Sequence, residues 1–93
     1  MEKTYYDPSL PHFISTKDPA TAARAARLKP RYPDGTAFGD AYAVNLETGE
    51  CHVYVMENGR PAVKDRQLVT AIVERDFDLF DRVSKQLLYS CRH

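Results

Sequence analysis

Tryptophan is absent from the ninety-three residues, and cysteine is confined to Cys51 and Cys91. A small secreted domain would carry more cysteines, evenly paired, so the fold is expected to rest on burial alone. No window approaches the ~18 consecutive apolar residues of a membrane helix. The opening Met1-Glu2-Lys3-Thr4-Tyr5-Tyr6-Asp7 is polar where a signal peptide would be basic and then apolar. A cytoplasmic protein without membrane contact is the expectation. Net charge is missing too: thirteen Lys/Arg stand against thirteen Asp/Glu. The chain therefore lacks the basic excess common in nucleic-acid binders, and weak self-repulsion leaves a homodimer open to it. There is no Gly-rich phosphate loop, no G-x-S-x-G elbow and no His-Glu-x-x-His pair. These absences point away from an enzyme and call for no cofactor.

What is present begins with ordinary globular composition, 43% hydrophobic and 28% charged, enough for one domain over residues 1–93. Charge is polarised along it. Residues 1–33 hold six Lys/Arg and three Asp/Glu, residues 34–64 two and five, and residues 65–93 five of each.

The expected fold class is α+β, read in chain order. Residues 1–15, with Pro8 and Pro11, form an extended arm bearing Tyr5, Tyr6, Leu10, Phe13 and Ile14. Asp18 as cap and Pro19 at the first helical position open a short alanine-rich helix over 18–29, which Pro30 ends. A three-stranded antiparallel meander spans 36–64. Its first strand alternates Phe38, Tyr42, Val44 and Leu46 on one face with Ala37, Gly39, Ala41 and Ala43 on the other. Gly49 and Asn58-Gly59 supply the turns, and Pro61 sends the third strand to an edge. Val69, Ile72, Val73, Phe77, Phe80, Val83, Leu87 and Leu88 keep a 3.6-residue step, which predicts a C-terminal helix over 65–90. As one rod, residues 66–90 would reach ~37 Å. The expectation is either a kink near Asp76–Asp78 or a protruding end. The β-branched run Leu68 to Val73 admits a strand as the alternative. The α–β–β–β–α order resembles, in topology, that of double-stranded-RNA-binding domains. The basic cluster those domains place at the start of their last helix is reduced here to Lys64 and Arg66, with Asp65 between.

Five constellations carry the functional argument. Cys51-His52 with Cys91-Arg92-His93 holds zinc-type ligands, but strand neighbours point to opposite faces and no C-x-x-C clip is present, so no metal site is expected. Either cysteine could serve as a nucleophile only with a base beside it and a lowered pKa; core filling is the simpler role. The segment Lys17, Arg24, Arg27, Lys29, Arg31 and Tyr32 offers cations and an aromatic ring to nucleic acid, or else a solvated face. His52, Tyr54 and Met56 share a sheet face that either binds a partner or lies under the N-terminal arm. Asp34, Asp40, Glu47, Glu50 and Glu57 make the hairpin acidic and suited to a basic protein. The resulting expectation is a small non-enzymatic regulator or inhibitor. It would bind a protein partner through His52, Tyr54, Met56, Glu47, Glu50 and Glu57. The alternative is nucleic-acid binding through Arg24, Arg27, Lys29, Arg31 and Tyr32.

Overall fold

The computed structural model describes all ninety-three residues. The chain is built from strands rather than from helices and a meander. In order it forms β1 (Glu2–Tyr5), β2 (Phe13–Ser15), α1 (Ala22–Ala25), β3 (Leu28–Arg31), β4 (Ala41–Asn45) and β5 (Glu50–Tyr54). Then follow β6 (Met56–Glu57), β7 (Arg60–Pro61), β8 (Val63–Lys64), β9 (Gln67–Leu68), β10 (Thr70–Glu74), β11 (Phe77–Asp81) and β12 (Leu87–Arg92). A first antiparallel sheet has the order β1-β12-β11-β3 and a second β10-β5-β4-β2; β6-β7 and β8-β9 are separate two-stranded ladders.

One core joins the two sheets. Phe77, Leu79, Tyr89 and Cys91 face it from the first sheet, and Ile14, Val44, Cys51 and Val53 from the second. Leu10, Leu28, Phe38 and Leu46 complete the cluster. Each large side chain sealed there contributes roughly 1.5–3 kcal/mol. At its centre the Tyr89 hydroxyl donates to the Leu46 carbonyl at 2.6 Å, so the one polar atom of that ring is satisfied.

These pairings overturn the α+β expectation. The C-terminal helix over 65–90 does not exist, and neither does its kink or overhang near Asp76–Asp78; the segment forms β9 to β12. The residues that gave the helical step are not one stripe: Ile72 is 58% exposed and Val83 74%, while Phe77 is sealed. The operative pattern is alternation, with Phe77 and Leu79 inward and Asp78 and Phe80 less buried. The strand alternative within Leu68 to Val73 is the one realised, as β9 and β10.

The helix expected over 18–29 shrinks to the four residues of α1. The Asp18 carboxylate caps a turn by accepting from Ala20 N–H, and the Thr21 hydroxyl bonds Ser15 rather than the helix. Leu28–Arg31 is taken by β11 as an edge strand, where the missing N–H of Pro30 does least harm. The arm over 1–15 is a strand in each sheet: β1 pairs with β12, and β2 with β4.

Of the meander over 36–64, the β4–β5 hairpin is present, with Gly49 at φ +72°. The third strand is not. β10 takes its place beside β5, and Arg60–Lys64 is divided between two small hairpins. Those hairpins branch from the β5–β10 ladder at three residues. Val55 N–H donates to Val69 O, Val69 N–H to Ala62 O, and Ala62 N–H to Val55 O, at 2.9, 2.9 and 2.7 Å. This closed ring of bonds is a three-way junction. It sends out one finger with turn Asn58-Gly59 and another with turn Asp65-Arg66, all four turn residues at positive φ. With no α–β–β–β–α order left, the topological likeness to double-stranded-RNA-binding domains goes as well.

Candidate interaction surface

Alternation along β5 drives Cys51 and Val53 into the core and leaves Glu50, His52 and Tyr54 on the outer face of the second sheet. On β10, Ala71 and Val73 pack against the core while Thr70, Ile72 and Glu74 are exposed. The register sets Ile72 opposite His52, Thr70 opposite Tyr54 and Glu74 opposite Glu50.

Two aromatic side chains join that face from places the sequence does not advertise. Phe13 on β2 packs edge-on against His52, with ring centroids 5.2 Å apart. Tyr42 arrives through a bulge: between Ala41 and Ala43 the register with β5 shifts by a residue. Its ring lies 4.8 Å from Tyr54 and 6.1 Å from His52, while Phe38, Val44 and Leu46 stay in the core. The Lys17 ammonium stands 4.1 Å above the Tyr42 ring and 5.0 Å from Tyr54, a cation–π contact that props the two rings. The face remains open, with Phe13 39% exposed. Of the arm, β2 brings Phe13 to it as part of the same sheet, while Tyr5 packs on Tyr89 from β1 of the first sheet. The opposite face is covered by that first sheet.

At one end of this face two carboxylates oppose each other. Glu50 accepts only the Thr48 hydroxyl at 2.9 Å, and Glu74 has only the His93 ring at 4.0 Å. No Lys or Arg forms a salt bridge with either. Like charges directly across a ladder are unfavourable, so this pair is a standing demand for a cation.

The other expected partner-binding residues do not gather here. Glu47 is held by Lys3 and by His12 Nδ1, the latter at 2.6 Å. The Lys3 hydrogen bond holds its carboxyl below the usual range. Glu57 lies on the first finger opposite Arg60, roughly 23 Å along the chain direction from Glu50. Met56, 46% exposed, pairs with Pro61 beyond the junction. Asp34 caps its own turn through Thr36, and Asp40 makes a bidentate pair with Arg75 at 2.8 and 2.7 Å. The acidic hairpin is thus an assembly of separately employed carboxylates, apart from Glu50.

The basic segment also disperses. Arg24 pairs with Asp7 at 2.8 Å, and Arg27 lies 3.5 Å from Asp81. Tyr32 turns toward the core and packs on Phe38, 4.8 Å between centroids. Only Lys29 and Arg31 remain together, on edge strand β3.

Cys51 and Cys91 are both sealed in the core as free thiols. Burial pushes the Cys51 thiol up to about 12 and raises Cys91 as well, so both stay protonated at neutral pH. His52 points away from Cys51, and no group of three or more His, Cys, Asp or Glu side chains is placed to hold a metal ion. No helix is long and apolar enough to cross a membrane.

Fold and surface together define a small antiparallel β domain with one open aromatic sheet face. No protein-family model, curated protein or solved structure matches the chain.

Proposed function

We propose that this chain is a small interaction protein that acts by binding, without catalysis, an extended segment of a protein partner. The observation that carries the reading is the outer face of the second sheet. There Phe13, Tyr42, His52, Tyr54 and Ile72 adjoin the opposed Glu50 and Glu74. Aromatic rings presented with little conformational freedom are the usual anchors of protein interfaces.

The edge position of β10 supplies a docking mode. It has a neighbour on one side only, contains no proline and exposes Ile72. An added strand would complete its hydrogen bonding, and alternate side chains would fall beside Thr70, Ile72 and Glu74, extending the face that carries the aromatic row. The partner segment suited to this face alternates apolar residues with Lys or Arg, the cation meeting Glu50 and Glu74. Occupation of such a segment would modulate or inhibit whatever else it contacts.

The test uses wild-type protein, Tyr54→Ala and Glu50→Lys as baits in lysate, with bound proteins identified by mass spectrometry. The expected result is a stoichiometric partner whose affinity drops at least tenfold in both variants. Glu50→Lys should meanwhile unfold no more easily than wild type, because it converts a like-charged cross-strand pair into an opposite-charged one. A partner retained equally by all three baits would sink the proposal.

A further inference from the structure

A second site lies on the other sheet and is independent of the aromatic face. Where β3 runs beside the end of β11, a recess of about 230 Å³ is lined by Lys29, Arg31, Phe80, Asp81, Arg82 and Lys85. Four cations around one aromatic ring is an unusual gathering in a chain of zero net charge. None of the four makes a salt bridge.

The recess is held in shape by the backbone. Arg82 donates through Nε to Leu28 O at 3.0 Å, which leaves its two terminal nitrogens free. Arg31 donates through one terminal nitrogen to Gly35 O at 2.7 Å, and its guanidinium carbon stands 6.0 Å from the Phe80 ring centroid. Lys85, at φ +66°, closes the β11–β12 turn. The single carboxylate in the lining is already employed. Asp81 accepts Val83 N–H at 2.8 Å and Ser84 N–H at 2.9 Å, and Arg27 approaches at 3.5 Å. Those backbone bonds hold its carboxyl below the usual range. The lining therefore keeps a net positive charge and several unspent N–H donors in one concave place.

We propose that this recess binds the phosphate group of a small phosphorylated molecule of the mononucleotide type. Lys29, Arg31, Arg82 and Lys85 meet the phosphate oxygens, and Phe80 with the Arg31 guanidinium lies against the planar base. The dimensions select the class. A polynucleotide needs cations spaced along a track to meet successive phosphates. Here four converge on one recess, while the unpaired Arg60, Lys64 and Arg66 belong to the fingers of the other sheet.

The experiment is a backbone-amide NMR titration of the full chain with adenosine 5′-monophosphate, adenosine, inorganic phosphate and a single-stranded oligonucleotide. The monophosphate should give saturable shifts confined to residues 28–32 and 79–86. Affinity should fall at least tenfold when the phosphate is omitted and weaken as salt is raised. Lys85→Glu alters an exposed turn side chain and should abolish those shifts at unchanged melting temperature. Lys29→Glu provides a second variant on the opposite wall. The proposal is overturned if neither the monophosphate nor inorganic phosphate shifts these amides, or if both variants bind like wild type. It is equally overturned if the oligonucleotide binds a hundredfold more tightly with shifts spread beyond the recess.

Discussion

Tyr89 shows how much a single side chain holds here. Its ring is fully buried against Phe77 and Tyr5, and its hydroxyl is the partner of the Leu46 carbonyl. Removing only the oxygen, as in Tyr89→Phe, keeps the shape and strands that carbonyl in the core. The expected loss is about 1–3 kcal/mol, read from urea unfolding. A loss below a few tenths would mean that the carbonyl finds another donor. Of the neighbouring thiols, Cys91 donates to the Arg75 carbonyl at 3.3 Å, and both Cys51 and Cys91 fill core space, the simpler of the two roles their strand positions suggested. At the same scale His52 and Tyr54 sit outward as the alternation of β5 implied, whereas strict alternation puts Tyr42 with Phe38, Val44 and Leu46 and the structure puts it on the outer face instead. A bulge is set by how two strands meet, and nothing local in Gly39-Asp40-Ala41-Tyr42 encodes it.

Among the elements, the two fingers differ in a way that can be measured. Asn58-Gly59 has the residues that a turn with two positive φ angles favours, and it was legible for that reason. Asp65-Arg66 adopts the same geometry at φ +52° and +65° without glycine. An L-residue with a long side chain pays about 1 kcal/mol in that region. Arg66→Gly is therefore expected to stabilise the domain by about 0.5–1 kcal/mol despite deleting a charged side chain. The check is chemical denaturation beside hydrogen exchange at Val55, Ala62 and Val69, whose ring of bonds should exchange more slowly in the variant. Faster exchange would show that the Arg66 side chain supports the finger. The apparent C-terminal helix belongs to this scale as well. Apolar residues in three strands, β10 to β12, and in the links beside them fell by coincidence on a 3.6-residue step, and period alone could not separate them.

For the whole molecule, the Asp40–Arg75 pair ties the entry of β4 to the link between β10 and β11. Arg75 is stacked beside Phe38 at 4.9 Å. Its hydrogen bonds hold the Asp40 carboxyl below the usual range. A carboxyl lowered in the folded state stabilises above its unfolded value of ~3.9, and that contribution is lost as pH falls through the folded value. Asp40→Asn should cost about 1.5–3 kcal/mol at pH 7. The gap from wild type should narrow at a second, acidic pH, as protonation of Asp40 through its lowered folded value removes the charge at this position. Urea midpoints at the two pH values decide it. A gap that is constant with pH would remove the ion pair from the account. Because four of the strand pairings join distant segments, such as Glu2 with Arg92 and Phe13 with Asn45, folding is expected on the slower, millisecond-to-second scale of β topologies.

The sequence by itself determined the local features that need no distant partner. These are the positive-φ turns at Gly49 and Asn58-Gly59, the alternation of β5 and the absence of a long apolar span. Tertiary structure decided which segments would be strands at all. The N-terminal arm and the C-terminal third became sheet by pairing with strands far along the chain: β1 with β12, β2 with β4, β10 with β5 and β11 with β3. An extended strand gains its hydrogen bonds from residues far along the chain, and short-range periodicity carries no record of them. The same reason explains the surface. Phe13, Tyr42 and Ile72 come from an arm, a bulge and a misread helix, and Lys29 meets Lys85 across a strand pair. These groupings exist only once long-range register is fixed.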